Sequence, residues 1–149
     1  MEAIVFIGVQ AAGKSTFYKE NFFKTHMRIN LDMLKTRNRE NILLEACVKA
    51  KQPFVVDNTN PAVIDRKKYI DIAKAADFKV VGYYFQSNLD EVVLRNKKRK
   101  GKESVSLAGI RSTYSKLHLP DMAEGFDELY YVYINTENEF VVEEWKNEV

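Results

Sequence analysis

The apolar residues of this chain gather into short, nearly unbroken runs separated by polar stretches of helical length. Ala3-Ile4-Val5-Phe6-Ile7 opens the series, and strands are predicted near residues 3–8, 27–30, 53–57, 78–85 and 129–134. The third and fourth runs lack the in-out alternation of a half-solvated strand, which is the pattern of parallel strands covered on both faces. Helices fill the intervals. Asn60-Pro61 predicts a helix start after the third strand, with asparagine as N-cap and proline at the first helical position. Leu107, Ile110, Tyr114 and Leu117 recur at helical spacing and read as a packing stripe. Phe140, Val141, Glu144 and Trp145 predict a last short packing helix. With no internal repeat, low-complexity tract or long linker, this alternation predicts one α/β domain over residues 1–149, a five-stranded parallel sheet flanked by helices.

Composition narrows the setting. A chain of 149 residues, 46% of them hydrophobic, buries a core without disulfides or metal. The single cysteine, Cys47, lies in an apolar stretch and reads as a packed residue, so no disulfide and a reducing, cytoplasmic setting are expected. Apolar runs fall far short of the roughly 20 residues that span a bilayer, so no membrane partner is expected. A net charge of +2 gives no global field toward nucleic acid, and any such partner must be met by a local patch.

The chemistry begins after the first strand. Gly8-Val9-Gln10-Ala11-Ala12-Gly13-Lys14-Ser15-Thr16 satisfies GxxxxGK[ST] between a strand and a helix-compatible stretch. Glycines let the backbone turn, the loop N–H groups form an anion nest at a helix N-terminus, Lys14 reaches the β- and γ-phosphates of ATP, and Ser15 ligates Mg²⁺. Phe54-Val55-Val56-Asp57 has the form of a Walker B strand, whose aspartate holds Mg²⁺; the competing role is a cap on the following loop. Asn58-Thr59-Asn60 lies outside a strand's carboxyl end, where open α/β sheets bind ligands, and either holds an acceptor or makes the turn.

Asp32 follows the second strand on the same rim. Phosphoryl transfer to a hydroxyl needs a carboxylate within reach of the attacking O–H, and Asp32 is the candidate, with helix N-cap as its structural alternative. Arg95-Asn96-Lys97-Lys98-Arg99-Lys100-Gly101-Lys102 carries six cations in eight residues. It is either a solvated face or a lid over the triphosphate whose arginines act in cis. His26 and His118 have neither metal-ligand spacing nor an acidic neighbour in sequence, and are assigned no chemistry. The Asn-Lys-x-Asp guanine motif of GTPases is missing, as is a G-x-S-x-G elbow, and a motor or AAA-type ATPase would need more chain for its coupling elements. A small kinase remains.

These segments, in order, resemble the 5′-hydroxyl polynucleotide kinases across nearly the whole chain. Ile29-Asn30-Leu31-Asp32 is similar to the family's segment ending in the general-base aspartate. Asp57-Asn58-Thr59-Asn60-Pro61 followed by Arg66 resembles the animal-type DNTNP…R, and Ala123-Glu124-Gly125-Phe126 resembles the segment before the last strand. The basic cluster resembles the phage-type lid, which implies that Arg95 and Arg99 meet the ATP phosphates and that Arg99 is catalytic beside Lys14 and Asp32. It further implies that Lys35, Asn58, Asn60 and Arg66 line or support the acceptor side. Leu31 and Lys35 stand where the family has arginines, and lysine keeps the charge but loses the bidentate fork. No D-x-D-G-[ST] phosphatase motif is present. The expectation is an ATP- and Mg²⁺-dependent kinase acting on a DNA or RNA 5′ end. The alternatives are a kinase of a small hydroxylated metabolite and a nucleotide-binding regulator without turnover.

Overall fold

In the computed structural model, which describes residues 1–98 and 105–146, the apolar runs become strands β1 (Glu2–Ile7), β2 (Met27–Ile29), β3 (Phe54–Val56), β4 (Lys79–Phe85) and β5 (Glu128–Ile134). A sixth strand, β6 (Phe140–Glu144), follows. The helices are α1 (Lys14–Asn21), α2 (Leu31–Leu34), α3 (Arg37–Ala50), α4 (Val63–Ala75), α5 (Leu89–Lys97) and α6 (Leu107–Lys116), with a 3₁₀ turn at Met122–Glu124. The sheet order is β2-β3-β1-β4-β5-β6, with β1 to β5 parallel and β6 antiparallel to β5.

Strand β1 is central, and its alternate residues feed two cores. Ala3, Val5 and Ile7 face Leu44 and Cys47 of α3 and Tyr69, Ile70 and Ala73 of α4. Ile4 and Phe6 face Phe17 and Tyr18 of α1, Val92 of α5 and Ile110 of α6. Both faces are dry, and for that reason the run shows no polar alternation. Cys47 is buried, and burial pushes its thiol up. Among the described residues no helix is long and apolar enough to cross a membrane.

Two sequence expectations about elements give way. Phe140–Glu144 is a strand, paired from Ile134↔Phe140 to Tyr130↔Glu144, and the sheet has six strands. Asn135 Oδ1 accepts from Glu137 N and Glu139 N, and Asn138 takes a left-handed φ of 63°. These residues close a hairpin that folds Phe140-Val141-Val142 back beside β5, and β-branched and aromatic residues suit that pleated position. The start of α4 also moves. Ala62 is its N-cap, with Asp65 Oδ2 accepting from Ala62 N at 3.0 Å. Asn60 sits at φ 44°, outside the extended geometry of an N-cap, and its side chain donates to Phe6 O at 2.8 Å. It ties the β3 loop to β1 instead.

Candidate functional site

Gly8 approaches β4 so closely that a Cβ there would stand 3.0 Å from Phe85 Cβ and 3.2 Å from Phe85 O. Gly13 takes φ 98°, and a Cβ there would stand 3.0 Å from the Phe140 ring. These two glycines fix the ends of the phosphate loop. Between them Ala11 adopts φ 62° and Ala12 is buried. The loop is fastened from three sides: Gly8 N donates to Thr59 O, Val9 N to Ser87 Oγ, and Gln10 Nε2 to Thr113 Oγ1 on α6. Among the described residues no side chain caps α1, and its first turn holds no acidic residue, so the start of the helix is electrostatically suited to an anion. Lys14 is 8% exposed, and its Nζ donates to Gly8 O at 2.9 Å and Val9 O at 2.6 Å. The ammonium thus lies across its own loop. Thr16 is exposed.

Asp57, 2% exposed at the end of β3, accepts from Ser15 Oγ at 3.0 Å. A hydroxyl and a buried carboxylate in contact are hard oxygen donors that fit Mg²⁺ through part of its octahedron, the rest falling to phosphate and water. Arg28 joins them: its Nε donates to Asp57 Oδ2 and its Nη2 to Ser15 Oγ, each at 2.9 Å. Sequence reasoning missed Arg28.

Asp32 lies exposed in the first turn of α2, and the helix is capped by Asn30, whose Oδ1 accepts from Met33 N. The N-cap role weighed for Asp32 is therefore filled by another residue. Asn30 Nδ2 donates to Asp57 O, and Asn58 Oδ1 accepts from Leu31 N at 2.8 Å, so the β2 and β3 ends are stitched together beneath Asp32. Lys35 ends α2, exposed and at a left-handed φ of 74°.

Arg66 does not line this cleft. It is fully buried, donating to both Glu124 carboxylate oxygens at 2.8 and 3.1 Å and to the carbonyls of Asn60, Pro61 and His118. Its guanidinium braces the β3–α4 loop against the 3₁₀ turn. Arg66 and Asn60 are both buried and bonded within the protein, so of the two roles expected of them, lining or supporting the acceptor side, this geometry offers neither side chain as lining.

A second missed residue is Glu40 on α3, fully buried, accepting from Arg37, Lys68 Nζ (3.0 Å), Tyr69 OH (3.0 Å) and Asn58 Nδ2 (3.2 Å). Burial alone would raise its carboxyl, but the hydrogen bonds from Lys68, Tyr69 and Arg37 prevail and hold it below the usual range. Tyr69 is pushed up to about 12 by burial and by the Glu40 charge. The signal was available: Glu40, Leu44 and Cys47 form an i, i+4, i+7 core face with an acid on it.

Arg95 lies on α5, with Nη2 at 3.6 Å from Glu91 Oε2. Arg99 lies outside the described residues. Asn96 exchanges two hydrogen bonds with Val105, its Nδ2 to Val105 O and Val105 N to its Oδ1.

A glycine-rich loop with its lysine at a helix start, beside a buried aspartate on a parallel sheet, defines a P-loop kinase fold. The chain belongs to the family whose model is described as an AAA domain, matching residues 25–129. The chain is 28% identical over 130 residues to a "Bifunctional polynucleotide phosphatase/kinase" of Schizosaccharomyces pombe, covering 84% of this chain and 32% of that one. It therefore spans about a third of that relative's length. Its fold is similar to Chaetomium thermophilum Kti12 in complex with ADP-AlF3 (TM-score 0.67, 14% identity, 91% and 92% of the two chains). It is also similar to a gluconokinase from Sinorhizobium meliloti 1021 (TM-score 0.62, 17% identity, 89% and 82%).

Proposed function

We propose that this domain transfers the γ-phosphoryl group of ATP to the 5′-hydroxyl of a polynucleotide. The observation that carries the acceptor is the likeness, over 84% of the chain, to a protein named as a polynucleotide phosphatase/kinase. In this reading the amides from Gly8 to Thr16 and the Lys14 ammonium hold the β- and γ-phosphates, Lys14 leaving the carbonyls of Gly8 and Val9 to do so. Mg²⁺ held by Ser15 and Asp57 would neutralise charge on those phosphates. Asp32 accepts the proton of the attacking hydroxyl as its oxygen bonds the γ-phosphorus and the bond to the β–γ bridging oxygen breaks, releasing ADP. Arg95 and Arg99 of the basic segment offset charge on the transferring group. Lys35 takes an acceptor phosphate, and Asn58 holds the α2 start beneath it.

γ-Labelled ATP should label the 5′ end of a 5′-hydroxyl oligonucleotide. Oligonucleotide affinity should fall as salt rises, and Lys35→Ala should flatten that dependence by about one unit of slope while leaving the KM for ATP unchanged. The fold likeness to a gluconokinase favours a second reading, a small-metabolite kinase. Label on a sugar acid or polyol, with none on DNA or RNA ends, would establish it in place of the first.

A further inference from the structure

Arg28, Ser15 and Asp57 close a triangle of hydrogen bonds: 2.9 Å from Arg28 to each partner and 3.0 Å from Ser15 to Asp57. One guanidinium thus bonds both the Ser15 hydroxyl and the Asp57 oxygen that faces it, Oδ2. Mg²⁺ binds oxygen at about 2.1 Å and demands near-octahedral order, so a guanidinium bonded to these same two atoms opposes it both by charge and by space. The triangle also meets a need of Asp57 itself. The Asp57 side chain is 1% exposed, and a carboxylate so deeply buried needs a countercharge. Arg28 provides it, and the same contact closes the metal site.

The two partners differ in their freedom to leave. Asp57 is held in the sheet, its N–H donating to Ile29 O and its carbonyl accepting from Asn30. The Arg28 side chain is 27% exposed, on a three-residue edge strand, with its guanidinium carbon 6.0 Å from the Tyr18 ring centroid. Only the arginine has a path outward.

We propose that Arg28 is a gate on the metal site: in the nucleotide-free protein its guanidinium stands in for the divalent cation, and it must withdraw toward solvent before Mg²⁺ engages Ser15 and Asp57. This rests on the reading that the site binds Mg·nucleotide. Its consequence is a metal requirement set by the protein. The apparent affinity for Mg²⁺ is reduced by the fraction of molecules with the gate open, so removing the arginine raises it.

The test titrates Mg²⁺ at fixed ADP on the full chain, following both the heat of binding and the ADP-dependent rise in thermal midpoint. Arg28→Gln should lower the half-saturating Mg²⁺ concentration by about tenfold, the shift for a gate closed about nine-tenths of the time. It should also lower the thermal midpoint without metal, with Mg·ADP restoring it. Arg28→Lys, which keeps the charge but cannot bond both oxygens as a fork, should fall between, and it decides the matter if Arg28→Gln does not fold. An unchanged half-saturating Mg²⁺ in a folded variant overturns the gate while leaving nucleotide binding intact. If wild-type protein shows no Mg²⁺-dependent ADP binding, the nucleotide reading fails and the gate with it.

Discussion

The proposed donor side and the proposed acceptor side of this cleft are built differently. Lys14 and Ser15 open α1 and Asp57 follows the fully buried strand β3, and the loop before α1 is tied to the segments after β3 and β4 and to α6. Asp32 and Lys35 ride on a four-residue helix that buries no residue, held at its start through Asn30 and Asn58 and at its end by Arg39 on the Leu34 carbonyl. A phosphate nest needs many fixed amides and so demands a rigid frame. An acceptor platform needs only a few exposed side chains. The donor half therefore constrains sequence and geometry together, whereas the acceptor half can be retuned by changing two or three exposed residues.

The sharpest way to break the comparison is Lys14→Ala. Loss of the ammonium should abolish detectable turnover, since the loop amides alone leave the β–γ bridge without a point charge. Undiminished transfer in a labelled-ATP assay would remove the loop from the mechanism. Asp32→Asn should cost roughly 10² or more in kcat if the carboxylate is the base. Because Asn30 is the N-cap, the thermal midpoint should stay within a degree or two, about the reach of a neutral exposed change. A large fall in midpoint with kcat preserved would make Asp32 structural.

The smallest effect concerns the floor beneath the acceptor rim. Glu40→Gln should destabilise the fold by about 1–3 kcal/mol at neutral pH, by weakening charge-assisted bonds from Lys68, Tyr69 and Arg37. Because the folded carboxyl is held below its ordinary value, its contribution is full above the unfolded pKa of about 4.3 and is lost as pH falls through the folded one. Wild type and Glu40→Gln should therefore converge in stability on acidification. A gap that persists at low pH would show that packing, not charge, anchors α3 to α4.

Much of this was legible in the chain because it rests on local rules. Phosphate-loop spacing and unbroken apolar runs report directly on backbone geometry and double burial, and both the loop and β1 to β5 stand where those rules put them. What was not legible depends on partners distant in sequence. Phe140, Val141, Glu144 and Trp145 fit a helix by spacing, yet the Asn135–Asn138 turn makes Phe140–Glu144 a strand. Asn60 before Pro61 is a good cap in isolation, but Phe6 O, 54 positions away, claims its amide. Arg66 was placed on the acceptor side through family resemblance, and its burial against Glu124 follows from a contact across 58 residues. Arg28 had no motif to announce it, since its meaning arises only when β2 and β3 pair.

The late strand has a consequence for the protein's life in a crowded solution. A parallel sheet presents open rows of amides and carbonyls at its margins, which invite pairing with other molecules. Among the described residues the margins are β2, only three residues long, and β6, whose last residues Glu143 and Glu144 are exposed. Brevity at one side and negative charge at the other leave little template for a stray strand. The hairpin that displaces the expected helix thus ends the sheet on a charged margin, while its Phe140 ring lies against Gly13 at the root of the phosphate loop.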